Sequence, residues 1–242
     1  MKLLNFFLSL FLSSSKRKKI DLSGYEARMD YGILAGKQRI AMDNILMACE
    51  LGGAGAEIPA LTQEEFDQVV AQIGLHFGND EICKNIALKR GNSAAINLSI
   101  YEQAKAHKAK LDKWVEAALR QLNEGTTEDK LKQIAKCIAD HAKYESGTNN
   151  PLSLLEDGAM CGAYSMLFYK MATRIGVEAY ICYGEADNGL YKGFHAWNKA
   201  DGYYYDVTWY DAFPRQPKYL HSKTGWGRVC RLNDKGVRQK RG

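Results

Sequence analysis

The chain has 242 residues, of which 46% are hydrophobic and 25% charged, which is ordinary for a globular protein and long enough for one domain with an extension. Its net charge of +5 comes from the two ends: residues 1–19 carry five Lys or Arg and no acid, and residues 231–242 carry five and one Asp. The intervening residues, 20–230, therefore carry −4, which argues against a nucleic-acid groove. The basic ends could still contact a membrane surface or a cell-wall polymer.

The cysteines are scattered, and their spacing indicates neither a zinc site nor a CxxC redox motif. Scattered cysteines are typical of buried apolar positions, and one of them could be a reactive thiol. The spacing does not exclude a disulfide. The sequence also lacks an acidic loop of the DxDxDG type, so we expect no calcium dependence, and nothing in it indicates a metal or an organic cofactor. The six cysteines are Cys49, Cys83, Cys137, Cys161, Cys182 and Cys230.

The first 12 residues are apolar but too few to span a bilayer as a helix. Followed by Ser13, Ser14 and Ser15, they resemble the hydrophobic region of a signal peptide, although four basic residues over 16–19 stand on the unusual side of it. We interpret residues 1–19 as a leader and expect a secreted or membrane-associated protein, with a cytoplasmic location left open.

Residues 20–61 are weakly patterned and are predicted to be a linker. Within them we expect a short helix over 42–51 and a flexible connector over 51–56. The connector is rich in glycine but has no following Lys-Ser or Lys-Thr and no preceding strand, so it does not indicate a phosphate-binding loop.

Residues 62–122 are predicted to form an N-terminal extension, to which the sequence assigns no separate role. Thr62 and Glu65 have the spacing of a capping box, which marks the start of a helix. The predicted elements are a helix over 66–77, a β-hairpin of 82–89 and 94–101, and a helix over 102–122.

Residues 123–230 are predicted to form the core domain, and a glycine-bounded cysteine stands at its centre. A helix capped by Thr127 comes first, and then Cys161 lies in a glycine-rich stretch just before an amphipathic run over 163–175. Cys161 is therefore expected in the first turn of a helix, where the positive end of the helix dipole favours a thiolate. Taken alone, this pattern also fits a small buried cysteine at a tight helix–sheet contact.

The clearest hairpin signal follows, in two β-rich runs over 194–200 and 203–209 around Asp201-Gly202. If these two residues form the turn, alternation of side chains puts His195 and Asp206 on one face as diagonal cross-strand neighbours, within reach of each other. A register slip of one residue would separate them.

A histidine paired with an aspartate is what a cysteine nucleophile needs. Asp206 would orient the imidazole, and His195 would take the proton of Cys161 and return it to a leaving amine. Each residue alone also has an ordinary structural explanation, His195 as a packed sheet residue and Asp206 as a strand-end cap. In the chain, Cys161 on a helix is followed by His195 and Asp206 on the same face of a hairpin. This order, together with the shared face, favours a catalytic triad.

These residues resemble the transglutaminase-like core, most closely that of bacterial members with HAWN and DxTW segments. The resemblance implies an α+β, papain-like fold, in which the helix with the nucleophile packs on an antiparallel sheet that carries the histidine and the aspartate. It also implies that Cys161, His195 and Asp206 are the catalytic residues. It covers roughly residues 126–220 and is carried by Gly158-x-x-Cys161-Gly162-Ala163-Tyr164, Gly176-Val177, His195-Ala196-Trp197-Asn198 and Tyr205-Asp206-Val207-Thr208-Trp209.

The remaining parts of such a site are less marked. The backbone N–H of Cys161 is the natural first donor to an oxyanion, and Asn149 or Asn150 could supply a second, side-chain donor. Trp197, on the face of His195, and Tyr164 are the candidate substrate-binding residues. The predicted basic tail is residues 231–242.

Two classes of function follow. The first is a thiol enzyme that forms a thioester from a protein or peptide amide, with water or a second amine resolving it; we favour a peptidase or amidase slightly over a cross-linking transglutaminase. The alternative is a binding or scaffold protein that has kept the fold without catalysis.

Overall fold

The structure of the chain, a computed structural model, describes residues 34, 36–89, 92–212, 215–224, 227–228, 231–232 and 238–239. The predicted leader over 1–19 lies outside the described residues, as does most of the basic tail. The chain divides into two compact units, whose described parts are residues 34–111 and 112–239.

The first unit packs helices on a small antiparallel sheet with the strand order β1-β3-β2. Its core contains Ile45, Phe66, Ile73 and Tyr101. The elements are α1 (Lys37–Glu50), β1 (Gly55–Glu57), α2 (Gln63–Phe77), a 3₁₀ helix (Asp80–Asn85), β2 (Ile86–Lys89), β3 (Ser93–Ile96) and the first part of α3 (Leu98–Leu119).

The capping box at the start of α2 is confirmed. The Thr62 side chain accepts a hydrogen bond from the backbone N–H of Glu65, and the Glu65 carboxylate accepts one from the backbone N–H of Thr62. Together these two bonds satisfy two of the N–H groups that the first turn of a helix leaves free.

The described part of the segment that we predicted to be a linker is ordered structure. Helix α1 covers most of it, and the stretch expected as a flexible connector contains β1, in which Gly55 pairs with Ala95 of β3. Ile45 and Ala56 are buried in the core of the unit. Because this strand is only three residues long and is specified by a distant partner, the local pattern did not reveal it.

The second strand of the predicted hairpin also ends earlier than expected, at Ile96. Asn97 accepts a hydrogen bond from the backbone N–H of Ser99 at 3.1 Å, and α3 begins at Leu98. A side-chain acceptor at this position favours the start of a helix, so residues 98–101 are helical and not part of the strand.

The second unit is an α+β domain with a four-stranded antiparallel sheet in the order β6-β5-β4-β7, as the resemblance implied. Helix α6, which starts at Cys161, packs against β4 and β5. The remaining elements are α4 (Thr127–His141), α5 (Pro151–Glu156), α6 (Cys161–Arg174), β4 (Ala179–Asp187), β5 (Lys192–Ala200), β6 (Tyr203–Tyr205), α7 (Val207–Asp211), α8 (Pro217–Leu220) and β7 (Gly227–Arg228), followed by the paired strands β8 (Arg231–Leu232) and β9 (Arg238–Gln239).

A buried asparagine joins α6 to the sheet. Asn198 of β5 donates from its Nδ2 to the carbonyl oxygen of Ser165 in α6 at 3.0 Å and to that of Tyr180 in β4 at 3.2 Å. Asn198 is 1% exposed, so these bonds replace the water that its amide loses on burial. They hold the helix that carries Cys161 at a defined height on the sheet.

The Asp201-Gly202 turn and its register are confirmed. Both residues have positive φ, 47° and 78°, as a two-residue hairpin turn requires. Ala200 faces Tyr203, and the pairing continues as far as Tyr205. The predicted strand over 203–209 is wrong beyond that point, because α7 begins at Val207.

Candidate active site

The stretch before Cys161 is held by the segment that precedes α5. Tyr144 and Ala159 form a parallel β-bridge, and the backbone N–H of Met160 donates to the carbonyl oxygen of Thr148 at 2.8 Å. Gly158 has a φ of 109°, and a Cβ there would lie 2.4 Å from Cγ of Glu145. A glycine is therefore required for this close approach of the two segments.

Cys161 is the first residue of α6 and is half-buried. Of the other cysteines that the structure describes, Cys137 is half-buried and Cys49, Cys83 and Cys182 are buried; all five are free thiols. Cys161 thus combines partial access with a position at the N-terminus of a 14-residue helix.

The two asparagines considered as oxyanion donors have different environments. Asn150 caps α5, since its Oδ1 accepts hydrogen bonds from the backbone N–H groups of Leu152 and Ser153. Asn149 has no exposed surface and no partner for either amide atom, and it lies against Gly162, where a Cβ would be 2.5 Å from its Oδ1. Asn149 therefore supports the first turn of α6 from within, and its amide does not reach the surface.

The histidine and the aspartate are brought together as expected. His195 lies on β5, and its Nε2 is 2.8 Å from Oδ2 of Asp206, with the two residues 4% and 0% exposed. The other carboxylate oxygen of Asp206 accepts a hydrogen bond from the backbone N–H of Trp209 at 3.0 Å and so caps α7. One carboxylate thus ends the strand, starts a helix and orients the imidazole.

Trp209 also contacts the imidazole, which the sequence did not indicate. Its ring stacks on that of His195, with centroids 4.4 Å apart and planes at 9°. The ring of Trp197 is farther away, at 6.1 Å and 23°. The strand predicted over 203–209 includes Trp209, but α7 begins at Val207 and brings the Trp209 ring over His195.

The electrostatic surroundings of His195 favour its charged form. Burial lowers the pKa of His195, but the Asp206 carboxylate and the Cys161 thiolate together raise that pKa from 6.5 to about 10. Nε2 of His195 is hydrogen-bonded to Asp206. The ring nitrogen of His195 that remains for the interaction with Cys161 is therefore Nδ1. The imidazole therefore links the thiol to the carboxylate.

Two residues predicted to bind substrate are buried instead. Trp197 and Tyr164 are each 1% exposed. The Tyr164 hydroxyl donates to Oδ2 of Asp211 at 2.7 Å, and Trp197 packs behind His195. Neither side chain can contact a substrate at the surface. Both face the core, where residues of α6 and β5 pack the helix against the sheet.

The exposed aromatic residues beside Cys161 and His195 are Tyr144 and Tyr191, which the sequence analysis did not single out. Partial burial raises the pKa of Tyr144, and electrostatic interaction with the nearby ionisable groups of Cys161 and Tyr191 raises that pKa further. The Tyr191 ring lies 6.4 Å from that of His195. The local sequence around a tyrosine in a turn does not indicate that it lies beside an active site, since its spatial neighbours come from other elements.

Chemically, the arrangement provides a thiol at a helix N-terminus, an imidazole that can exchange a proton with it, and a buried carboxylate that holds the imidazole. Within the described ranges, no group of three or more His, Cys, Asp or Glu side chains could hold a metal ion.

Comparison with known proteins finds similarity over part of the chain. Residues 115–214 match the model of the transglutaminase-like superfamily. A crystal structure described as that of a TGase has 16% sequence identity and a TM-score of 0.36, over 51% of this chain and 43% of that chain. The present chain thus spans less than half the length of that protein. Among curated proteins, none matches the present chain.

Proposed function

From the transglutaminase-like domain over residues 115–214, we propose that this chain is an enzyme that cleaves or transfers the acyl group of a protein or peptide amide through a thioester on Cys161. The observation that carries the proposal is the buried pair of His195 and Asp206, whose imidazole also interacts with Cys161. A buried pair of ionisable side chains that also interacts with a half-buried thiol is typical of a functional site, which favours a chemical role over a packing one.

In the first half of the reaction, the Cys161 proton moves to Nδ1 of His195 and Sγ attacks the carbonyl carbon of the amide. The oxyanion that forms is stabilised by the N-terminus of α6, with the Cys161 backbone N–H as donor. The tetrahedral intermediate then collapses, the C–N bond breaks, and the nitrogen takes the proton from His195. Ammonia or an amine leaves, and the acyl group remains on Sγ as a thioester.

In the second half, water or an acceptor amine attacks the thioester carbon while His195 accepts its proton. The C–S bond breaks, and the thiolate re-forms its pair with the imidazolium. Throughout, Asp206 accepts a hydrogen bond from Nε2 of His195 and so holds the imidazole in place. We favour water as the acceptor, and hence a peptidase or amidase.

We also propose that the basic ends of the chain bring this domain to a membrane or cell-wall surface. No helix among the described residues is both long and apolar enough to cross a bilayer. The residues concerned are 1–19 and 231–242, and the structure describes only strands β8 and β9 among them. Fractionation of cells, with mass spectrometry of the mature N-terminus, tests this: recovery of the protein in the cytosolic fraction alone would contradict it.

The enzymatic proposal is tested with Cys161→Ala and, as a matched control, Cys137→Ala, because Cys137 is also half-buried but lies on α4. The protein is incubated with peptide amides, with and without an amine acceptor, and products are identified by mass spectrometry. We expect turnover in the wild type and in Cys137→Ala, an acyl adduct on Cys161, and no turnover in Cys161→Ala. A folded wild type that forms no adduct and no product would favour the binding or scaffold function.

A further inference from the structure

In the described part of the second unit, three large hydrophobic side chains are exposed, and all three lie in the segments that flank the candidate active site. They are Tyr144, Leu190 and Tyr191, at 55%, 93% and 49% exposure. Single exposed apolar residues are common and need no explanation, but a group of them at a reactive centre is typical of a binding surface. Trp197 and Trp209, whose rings stack near His195, are buried.

Tyr144 stands directly beside the nucleophile. It is bridged to Ala159, two residues before Cys161, and its ring lies 6.4 Å from that of Tyr164. The neighbouring residues Lys143 and Glu145 form an ion pair with each other at 3.0 Å. The charges that flank this ring therefore compensate each other.

Tyr191 stands on the other side, next to His195, and is held in place by its own turn. Oδ1 of Asn188 accepts the backbone N–H groups of Leu190 and Tyr191, at 2.9 and 2.8 Å. The ring folds over Gly193, where a Cβ would lie 2.7 Å from the Tyr191 hydroxyl oxygen. A side chain at that position would displace the ring, so the glycine permits its approach to His195.

The charges near Tyr191 also balance, since Asp187 and Lys192 face each other across the strands β4 and β5. With one acidic and one basic residue beside each tyrosine, neither ring carries an excess of charge next to it, which favours an uncharged apolar group as the ligand. An aromatic ring presents a large rigid contact area at a low cost in conformational entropy.

We propose that Tyr144 and Tyr191 form the specificity wall of the site, binding an apolar or aromatic side chain of the acyl-donor peptide next to the amide that Cys161 attacks. Leu190, which is 93% exposed, precedes Tyr191 in the same turn. This inference rests on the proposed function and names its substrate class: peptides with an apolar residue beside the scissile amide. The continuity of the wall with Cys161 and His195 identifies the occupant as the substrate itself.

The test compares peptide amides that differ only in the residue next to the scissile bond, which is Phe, Leu, Ala, Glu or Lys. We expect kcat/KM for Phe to exceed that for Ala by roughly 10- to 100-fold, the range that differences in apolar contact provide in a pocket. In Tyr144→Ser and Tyr191→Ser the preference should fall to a few-fold, whereas Tyr191→Phe should retain it, because the ring and not the hydroxyl makes the contact. Leu51→Ser, an 81% exposed position in the first unit, is the matched control.

Alkylation of Cys161 by iodoacetamide, a small uncharged reagent, separates this inference from the proposed function. We expect the tyrosine variants still to be alkylated at Cys161, which shows that the thiol and the fold around it remain intact. A wild type that turns over no amide overturns the proposed function and the wall with it. Turnover that is equal for all five peptides, or a preference that persists in both serine variants, overturns the wall alone. So does a selection for glycan-bearing donors over apolar peptides, which would assign the tyrosines to sugar stacking.

Discussion

Replacing Asp206 by Asn should change the protonation of His195 by a large and measurable amount. The rise of the His195 pKa from 6.5 to about 10 corresponds to roughly 5 kcal/mol in favour of the imidazolium, at about 1.36 kcal/mol for each tenfold change in the equilibrium. Burial is the largest single influence on His195 and acts in the opposite direction. Without the carboxylate charge, we therefore expect the pKa of His195 to fall below 6.5. Asparagine still caps helices well, so the bond to the N–H of Trp209 can persist.

The measurement is a pH titration of the histidine rings by ¹H–¹⁵N NMR in the wild type and in Asp206→Asn. The chain has five histidines, and His195→Gln assigns the relevant signal. Asp211→Asn is the control, because it also removes a carboxylate of the α7 region but one that contacts Tyr164 and not His195. A wild-type His195 that titrates near 6.5, or that titrates alike in the wild type and in Asp206→Asn, would refute the electrostatic argument.

The same shift predicts how stability depends on pH. Because the folded-state pKa of His195 is raised, its contribution to the free energy of unfolding is complete below pH 6.5 and is lost as the pH rises through 10. We expect the stability difference between the wild type and Asp206→Asn to shrink by up to roughly 5 kcal/mol across this window. Urea denaturation at a series of pH values measures it, and a difference that stays constant from pH 6 to 10 would contradict the linkage.

Three further predictions concern stability, measured by urea denaturation. Gly162→Ala should cost about 1–3 kcal/mol of stability, because its Cβ would lie 2.5 Å from the buried amide of Asn149. Adding Asn149→Ala should recover part of that loss. A double variant whose loss equals the sum of the two single losses would contradict the steric cause. Asn198→Leu should cost about 1–3 kcal/mol by leaving carbonyl groups of α6 and β4 without their donor, and a loss well below 1 kcal/mol would mean that water replaces the amide. Thr126→Ala should cost about 0.5–2 kcal/mol by removing the cap of α4, and an unchanged midpoint would show that the cap contributes nothing.

The local pattern was sufficient to predict the helix that carries Cys161 and the hairpin that carries His195. Both depend on features that the chain specifies within a few residues: the apolar period of a helix, and a two-residue turn whose positive φ angles suit Asp201 and Gly202. Because side chains alternate along a strand, the turn also determined that His195 and Asp206 would be neighbours. The cap of α4 is a smaller difference, at Thr126 and not at Thr127.

Tertiary structure decided what lies around these residues. Strand β6 ends at Tyr205 because Asp206 caps α7, and this turn of helix puts Trp209 on the imidazole. Burial of Trp197 and exposure of Tyr191 likewise depend on packing partners far away in the sequence. The sequence by itself determined the helix that carries Cys161, the two-residue turn of the hairpin, and the side of a strand that each residue faces, since those follow from local periodicity and turn preference. Only the folded chain decided which aromatic residues are exposed to solvent and which contact His195. Exposure and ring contacts depend on several elements at once, and a local pattern does not contain them.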